Sequence, residues 1–372
     1  MISVDEALAR VLDLAAPIDA MTVSLRDAAN RVLAEPIVAR RDQPPFRASV
    51  MDGYSVAGDH PSYRVVGEAA AGHGFERDLG DGECVRIFTG APLPDSAGRV
   101  IIQEDVTRDG DAIVVKPDAD TDMYIREKGK DFRIGDRIEA PCRLTPARIA
   151  LAASMNVPNV TVYRRPIVAV IATGDELVMP GETPSDDQII ASNSFGLAAA
   201  LGSEGADIRL LPIARDTEAS LGAALAMAQP ADLIVTIGGA SVGDHDLVGQ
   251  VAASLGLERA FYKIAMRPGK PLMAGRLGGT PMIGLPGNPV SSMVCGHIFL
   301  RPVIRAMQGL PKAGLESQTA TLAEPVGANG PRQHYMRATL ADGKITIAER
   351  QDSSLLSVLA AANVLVVRPP HD

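Results

Sequence analysis

Tryptophan is absent from the 372-residue chain, and Phe, Trp and Tyr together make up only 3% of it. That scarcity disfavours a protein that stacks nucleic-acid bases on aromatic platforms. Basic runs are missing too: 36 Lys plus Arg face 45 Asp plus Glu, a formal charge of -9, so nucleic acid is excluded as an expected partner. Cysteine is rare, and Cys84, Cys142 and Cys295 form an odd set without CxxC spacing. Neither a disulfide framework nor a zinc knuckle is indicated, and a reducing cytoplasm is the expected location. No apolar run approaches the ~20 residues of a membrane span. The opening string MISVDEALARVLDL carries acids where a secretory signal carries bases, so neither membrane insertion nor export is expected.

What the chain has is 35 Gly, 27 Pro and an ordinary globular balance of 46% apolar to 22% charged residues. Specificity should therefore come from backbone loops and charged groups. Ser3 and Glu6 have capping-box spacing, and Val4, Ala7, Leu8, Val11 and Leu12 follow at helical period, predicting an amphipathic first helix. From 47 to 137, short β-favouring pieces (YRVVGEA, CVRIFTG, RVIIQEDV, AIVVKP) alternate with Gly, Pro and Asp, predicting a β-rich domain. Helical period returns in LTPARIALAASMNV (144–157). Pairing that helix with the first one makes the β-rich stretch an insertion in a discontinuous domain of 1–46 plus 138–165.

Between 166 and 312, strand, loop and helix alternate. IVAVIATG, DIRLLPIA, DLIVTIGG, FYKIAM and PMIGLPG read as strands. SNSFGLAAALG, TEASLGAALAMA and NPVSSMVCGHIFLRPVIRAM read as helices, the last kinked or broken at Pro302. The expected fold is thus α/β and multidomain, with a central doubly wound, mostly parallel sheet. Residues 313–372 read as a separate small β-domain with a hairpin turn at Asp342 and Gly343.

In an open α/β sheet, ligands bind beyond the carboxyl ends of the strands, where loops and helix N-termini aim N–H groups into one crevice. Three strands end there in Gly-containing polar loops: TGDEL (173–177), TIGGASVGDHD (236–246) and GLPGNPVSS (284–292). Gly238, Gly239 and Gly243 let the backbone approach an anion, with Ser241 as hydroxyl donor; Gly287, Asn288, Ser291 and Ser292 do the same ahead of a helix. One such loop is only a turn, but three on one edge predict a phosphate cradle. It is not a P-loop, because Lys270 is followed by Pro271, nor is GGASVG the dinucleotide fingerprint.

Asp175, Glu176, Asp216, Asp244 and Asp246 gather at the same edge. Acids beside an anion cradle call for a bridging cation, and Mg2+ takes one or two carboxylates plus phosphate oxygens. N-capping and solvation are the competing reading, sufficient for Asp216 and Asp244. Lys263, Arg267 and Lys270, crowded into YKIAMRPGKP, imply a second anion or the far end of the first. Asp52, Thr89 and Asp131 read by composition as turn residues. No Ser-His-Asp or Cys-His set is present, and none of the six His has a role.

The strings SVMDGYSV (49–56), FTGAPLP (88–94), GKDFRIGD (129–136), VYRRPIVAVIATGDELV (162–178), IGGASVGDHD (237–246), MRPGKP (266–271), GLPGNPVSS (284–292) and QDSSLLSVLAAANVLVV (351–367) resemble, in this order, the molybdopterin molybdenumtransferase family. That family holds the bacterial MoeA proteins and the E domain of gephyrin, and the likeness covers nearly the whole chain. It implies an elongated homodimer of four-domain subunits ending in a small β-barrel. It also implies the reaction: adenylylated molybdopterin and molybdate give molybdenum cofactor and AMP, with Mg2+ as divalent cation.

On this resemblance Glu176, Asp216 and Asp246 bear the metal. Gly238, Gly239, Ser241 and Gly243 hold the substrate pyrophosphate, helped by Pro286, Gly287, Asn288 and Pro289. Lys263, Arg267, Lys270, Pro271 and Ser291 line the anion end, with Arg337 and Ser353 as further molybdate candidates. Asp52, Thr89 and Asp131 match positions important for activity and are expected to face the partner subunit's crevice; with Glu176 and Lys270 they form the expected catalytic set. Here the resemblance overrides the turn-residue reading. Two departures stand out: Arg267 replaces the usual Lys, and Lys130 stands where Glu is common. A non-catalytic molybdopterin-binding scaffold or carrier, and a molybdopterin adenylyltransferase, are the alternatives.

Overall fold

The computed structural model describes residues 1–239 and 247–372. The N-terminal sheet takes its strands from both halves of the discontinuous segment, in the order Ala20–Ser24, Asn159–Tyr163, Val32–Leu33, Cys142–Arg143. Between them, six strands form the inserted sheet, in the order Arg99–Ile102, Gly53–Val56, Glu83–Ile87, Ser62–Ala69, Ala112–Val115, Val106–Asp109. The incoming and outgoing chains of the insertion run side by side, Ile37 and Val38 pairing with Ile138 and Arg137.

Helix α1 (Val4–Leu14) forms as its periodicity dictates, with the Ser3 hydroxyl accepting the Glu6 N–H at 3.1 Å. Its partner differs from the expectation. Helix α2 (Pro146–Ser154) buries Ala152 against Leu33, Val160 and Val162, whereas α1 sets Val4, Ala7, Val11 and Leu12 into the core of the α/β sheet. The Arg10 guanidinium fastens it there by donating to Ala260 O at 2.9 Å. An apolar stripe of this width needs a deep hydrophobic surface, and the larger core supplies it.

The central sheet comprises β1 (Ile167–Ala172), β4 (Asp207–Leu210), β5 (Leu233–Ile237), β6 (Glu258–Tyr262), β8 (Met273–Leu277) and β9 (Thr280–Leu285), in the order β4-β1-β5-β9-β8-β6. The first four run parallel; β8 and β6 add antiparallel. A two-residue ribbon of β2 (Leu177–Val178) and β3 (Ile189–Ile190) projects from the end of β1. Helices α3 (Asn193–Ser203), α4 (Glu218–Met227), α5 (Leu247–Ser254), α6 (Pro289–Cys295) and α7 (Arg301–Met307) join the strands and cover the sheet, whose β5 is buried at every residue. Two clusters, around Val170, Val235 and Phe299 and around Ile171, Ile234 and Leu225, mark cores on both faces.

The kink expected at Pro302 is absorbed instead of breaking the helix. A π-turn over Gly296–Leu300 links α6 to α7, and Arg301 N–H bonds Gly296 O, five residues back. Such a wide turn accommodates a residue without an N–H.

The last sheet contains β10 (Thr321–Leu322), β11 (Gln333–Ala341), β12 (Lys344–Ile347) and β13 (Val364–Arg368), preceded by helix α8 (Leu356–Ala361). The β11–β12 hairpin turns at Asp342 (φ 50) and Gly343 (φ 74) as the sequence predicts. The tail is less separate than expected: β7 (Met266–Arg267), from the α/β segment, pairs in parallel with β11, and Tyr335 sits in the α/β core. Among the described residues no helix is long and apolar enough to cross a membrane.

Candidate active site

Sheet order turns sequence-distant loops into one linear arrangement. Along the carboxyl edge, Asp216 follows β4, Glu176 follows β1, Gly238 and Gly239 follow β5, and Pro286 to Asn288 follow β9. Antiparallel β8 begins at the same edge, just after Lys270 and Pro271. A cleft of about 600 Å³ runs over these tips and is lined by Glu176, Asp216, Gly238, Gly239, Gly287 and Pro271, with Pro286, Asn288 and Pro289 also on its wall.

The glycine seat is built to tight tolerance. Gly238 (φ 96) and Gly239 (φ 64) adopt left-handed backbone, and a Cβ on Gly238 would lie 2.6 Å from Thr173 O. A Cβ on Gly239 would lie 2.3 Å from Val248 Cγ2. Only glycine fits at either position. Ser241, Gly243 and Asp246, the other expected members of this loop, lie outside the described residues.

Opposite the seat, Asn193 at the start of α3 donates from Nδ2 to Gly287 O at 2.7 Å, fixing one wall to the other. Asn288 precedes α6 without capping it; its Nδ2 instead donates to Ser353 Oγ at 3.2 Å, while Val290 N–H bonds Ser353 O at 3.0 Å. The last domain thus reaches the cleft through Ser353 and its neighbour Ser354, which lines the wall.

At the acidic end, Asp175 braces the loop by accepting the Asp216 N–H at 3.1 Å, and Arg215 Nη1 donates to Asp175 O at 3.0 Å. Neither Glu176 nor Asp216 has an ion pair among the described residues. No group of three or more His, Cys, Asp or Glu suited to a metal occurs among them either. Two unpaired carboxylates fit Mg2+, which completes its shell with water and phosphate oxygens, and fit a metal needing a full protein cage poorly.

At the other end, Lys263 (φ 75) and Lys270 sit on a braced turn, Ile264 N–H bonding Lys270 O at 3.0 Å, and Pro271 reaches the cleft wall. Arg267 is exposed on β7. Ser291 is buried within α6 and is not part of the wall. Arg337 is the most informative residue: 0% exposed, it donates from Nη2 to Asp352 O at 2.9 Å, while Nε and Nη1 are buried without a partner. Burial pushes its pKa down, Asp352 opposes, and Arg267 adds to the lowering. Leaving two donors of a buried cation without partners is costly; like Lys263, Arg267, Lys270 and Ser353, Arg337 lies off the cleft wall itself.

Asp52 and Thr89 come together on the inserted sheet: one Asp52 carboxylate oxygen accepts both the N–H and the hydroxyl of Thr89, each at 2.8 Å. Those bonds hold the Asp52 pKa below the usual carboxylate range. Asp131 is exposed beside Gln43, whose carbonyl accepts its N–H at 2.9 Å. None of the three lines the cleft of its own chain. Sequence reasoning missed Thr173, Asn193 and Ser354 on the cleft wall. The SNS string was legible as a helix start, and a second helix N-terminus at the sheet edge is the signal that finds Asn193.

Comparison with known proteins agrees over the whole length. Residues 2–156 match the MoeA N-terminal region (domain I and II), 169–306 a probable molybdopterin binding domain, and 319–372 the MoeA C-terminal region (domain IV). A molybdopterin molybdenumtransferase of Nostoc sp. is 34% identical, covering 94% of this chain and 85% of its own. One from Haemophilus influenzae is 37% identical over 83% of this chain and 78% of its own. A crystal structure of the molybdopterin biosynthesis MoeA protein from Pyrococcus horikoshii superposes with a TM-score of 0.84 at 25% identity, covering 100% of this chain and 96% of that one. On these matches, this chain belongs to the molybdopterin molybdenumtransferase family.

Proposed function

We propose that this protein transfers molybdenum from molybdate to adenylylated molybdopterin, releasing AMP. The observation that carries this reading is the order along the sheet edge: carboxylates, then the glycine seat, then Pro271 next to Lys270, with the idle donors of Arg337 on the strand that pairs with Met266–Arg267. The Gly238 and Gly239 backbone holds the diphosphate, while Lys270, Arg267 and Arg337, with Ser353 beside them, hold the tetrahedral oxyanion. Arg337 presents two N–H groups that lose no protein partner when the anion arrives, so binding replaces a desolvated charge by charge-assisted hydrogen bonds. Glu176 and Asp216, joined by Asp246, would hold Mg2+, which supplies Lewis-acid polarisation of the diphosphate. Lys263 supplies further positive potential at the oxyanion end.

Asp52, Thr89 and Asp131 act in this reading from the second subunit of a homodimer, because none of them lines the cleft of its own chain. A hybrid dimer of one Asp52→Asn subunit and one Lys270→Ala subunit should recover about half of the wild-type turnover, from its single intact composite site. Recovery of nothing would put both residues in one subunit's site.

The direct test is AMP release from adenylylated molybdopterin on addition of molybdate and Mg2+. Binding without release would favour a carrier, and adenylylation of molybdopterin from Mg-ATP would favour an adenylyltransferase. Within the same assay, Glu176→Gln should raise the Mg2+ concentration for half-maximal rate by about tenfold with the fold intact, since one of the charges on the cation is lost. An unchanged Mg2+ titration would remove Glu176 from the metal site.

A further inference from the structure

Three strands of the inserted sheet meet at Asp52. Gly53 opens its strand and pairs with Ile87 on one side and Ile102 on the other, so the ends of those two strands, followed by Thr89 and Gln103, stand beside the carboxylate. The chain is tightly placed there, because a Cβ on Gly53 would collide with Ile101 O. The peptide ahead of Asp52 is fixed as well, the Ser49 hydroxyl donating to Met51 O at 2.6 Å. Thr89 occupies one carboxylate oxygen of Asp52 with two bonds, and the other oxygen accepts none among the described residues. One oxygen is pinned and its twin is left open.

Behind this corner stands Arg86. It pairs in register with Tyr54, and its guanidinium carbon lies 5.2 Å from the Tyr54 ring centroid and 4.7 Å from that of Phe88. Two rings in cation–π range restrict where the fork can point. From there Nη1 donates to Gly53 O at 3.1 Å and Nη2 to Gln103 Oε1 at 2.6 Å. Gln103 in turn donates its main-chain N–H to Asp52 O at 3.1 Å and its Nε2 to Glu104 Oε1 at 3.0 Å. The carbonyls of Asp52 and Gly53 are therefore both tied to one guanidinium, the second directly and the first through Gln103. Glu68, the in-register neighbour of Arg86 on the strand Ser62–Ala69, forms no ion pair with it, so the fork is committed to the Asp52 end. Its charge adds to the Thr89 bonds in lowering the Asp52 pKa.

Resting on the function proposed above, in which Asp52 serves the cleft of the second subunit, we infer that Arg86 is a positioning residue for Asp52: by holding Gly53 O directly and Asp52 O through Gln103, it fixes the direction in which the open carboxylate oxygen is presented. Without this brace the carboxylate is still present but mis-aimed. The loss should then appear in rate and not in substrate affinity, because the substrates are held by the cleft of the other chain.

The test uses the full-length protein and the variants Arg86→Gln and Arg86→Lys. In the ligand-free protein, hydrogen–deuterium exchange read by mass spectrometry should show the Thr89 amide exchanging roughly tenfold faster in Arg86→Gln, with the strand Glu83–Ile87 as protected as before. In the AMP-release assay, Arg86→Gln should lower kcat about tenfold and leave KM for adenylylated molybdopterin within about twofold. Arg86→Lys, which keeps the charge and one of the two bonds, should return kcat to within about threefold of wild type. Unchanged Thr89 exchange in Arg86→Gln, a rise in KM in place of the fall in kcat, or an Arg86→Lys variant as impaired as Arg86→Gln would overturn the assignment. So would a loss of protection along the whole strand, which would make Arg86 a brace of the sheet and not of Asp52. A wild-type protein that releases no AMP contradicts the proposed function, and exchange at Thr89 still decides whether Arg86 holds the corner; normal AMP release with unchanged exchange contradicts the brace alone.

Discussion

Replacing Arg337 by Met is expected to stabilise the ligand-free protein and at the same time abolish its response to molybdate. The guanidinium is 0% exposed with Nε and Nη1 unpartnered, and Asp352 offsets only part of the charge. Methionine fills similar space without a buried charge, so apo stability should rise by about 1–2 kcal/mol. Molybdate affinity should fall about a hundredfold, because two charge-assisted hydrogen bonds disappear. Thermal unfolding with and without molybdate reads both effects: the variant should melt higher alone and gain nothing from the anion. A variant that melts lower alone and still gains would mean that Arg337 is a structural brace.

The second large effect concerns the glycine seat. Gly238→Ala forces a Cβ to 2.6 Å from Thr173 O at a φ of 96, and Thr173 is itself 2% exposed and unable to retreat. The expected cost is about 2–4 kcal/mol of stability, combining positive-φ strain with overpacking. Diphosphate binding should weaken by at least about tenfold, since any relief must move the loop that holds it. Gly222→Ala is the matched control: it lies inside α4 with nothing within 4 Å of the added Cβ. That change should gain up to about 1 kcal/mol. Urea unfolding of the pair, read with diphosphate titration, tests the claim; equal behaviour would remove the special role of the seat.

Much of this arrangement was legible in the amino-acid string. Buried runs such as DLIVTIGG announce strands covered on both faces, and glycines at their ends announce loops that approach a ligand. The α1 periodicity gave its existence but not its partner, because an apolar stripe specifies that something must cover it and not which core does. The hairpin of β8 and β9 escaped notice although its turn, Gly278 (φ 54) followed by Gly279 (φ 84), is the two-residue type that joins antiparallel strands. Its first strand, MAGRL, carries no β-branched or aromatic residue to mark it as a strand. Arg337 was readable only by resemblance: an arginine in a strand gives no sign from spacing that it will be buried with donors to spare. The union of β7 with β11 is a two-residue pairing across more than sixty positions of sequence, which no local pattern encodes.

The most direct test of the whole account is the structure of the protein soaked with adenylylated molybdopterin and an unreactive tetrahedral oxyanion. The account predicts the diphosphate over Gly238 and Gly239, the oxyanion within hydrogen-bond distance of Arg337, and the phosphates next to a cation on Glu176 and Asp216. A ligand lodged away from the carboxyl tips of β1, β5 and β9, or an oxyanion that leaves the Arg337 donors idle, would contradict it.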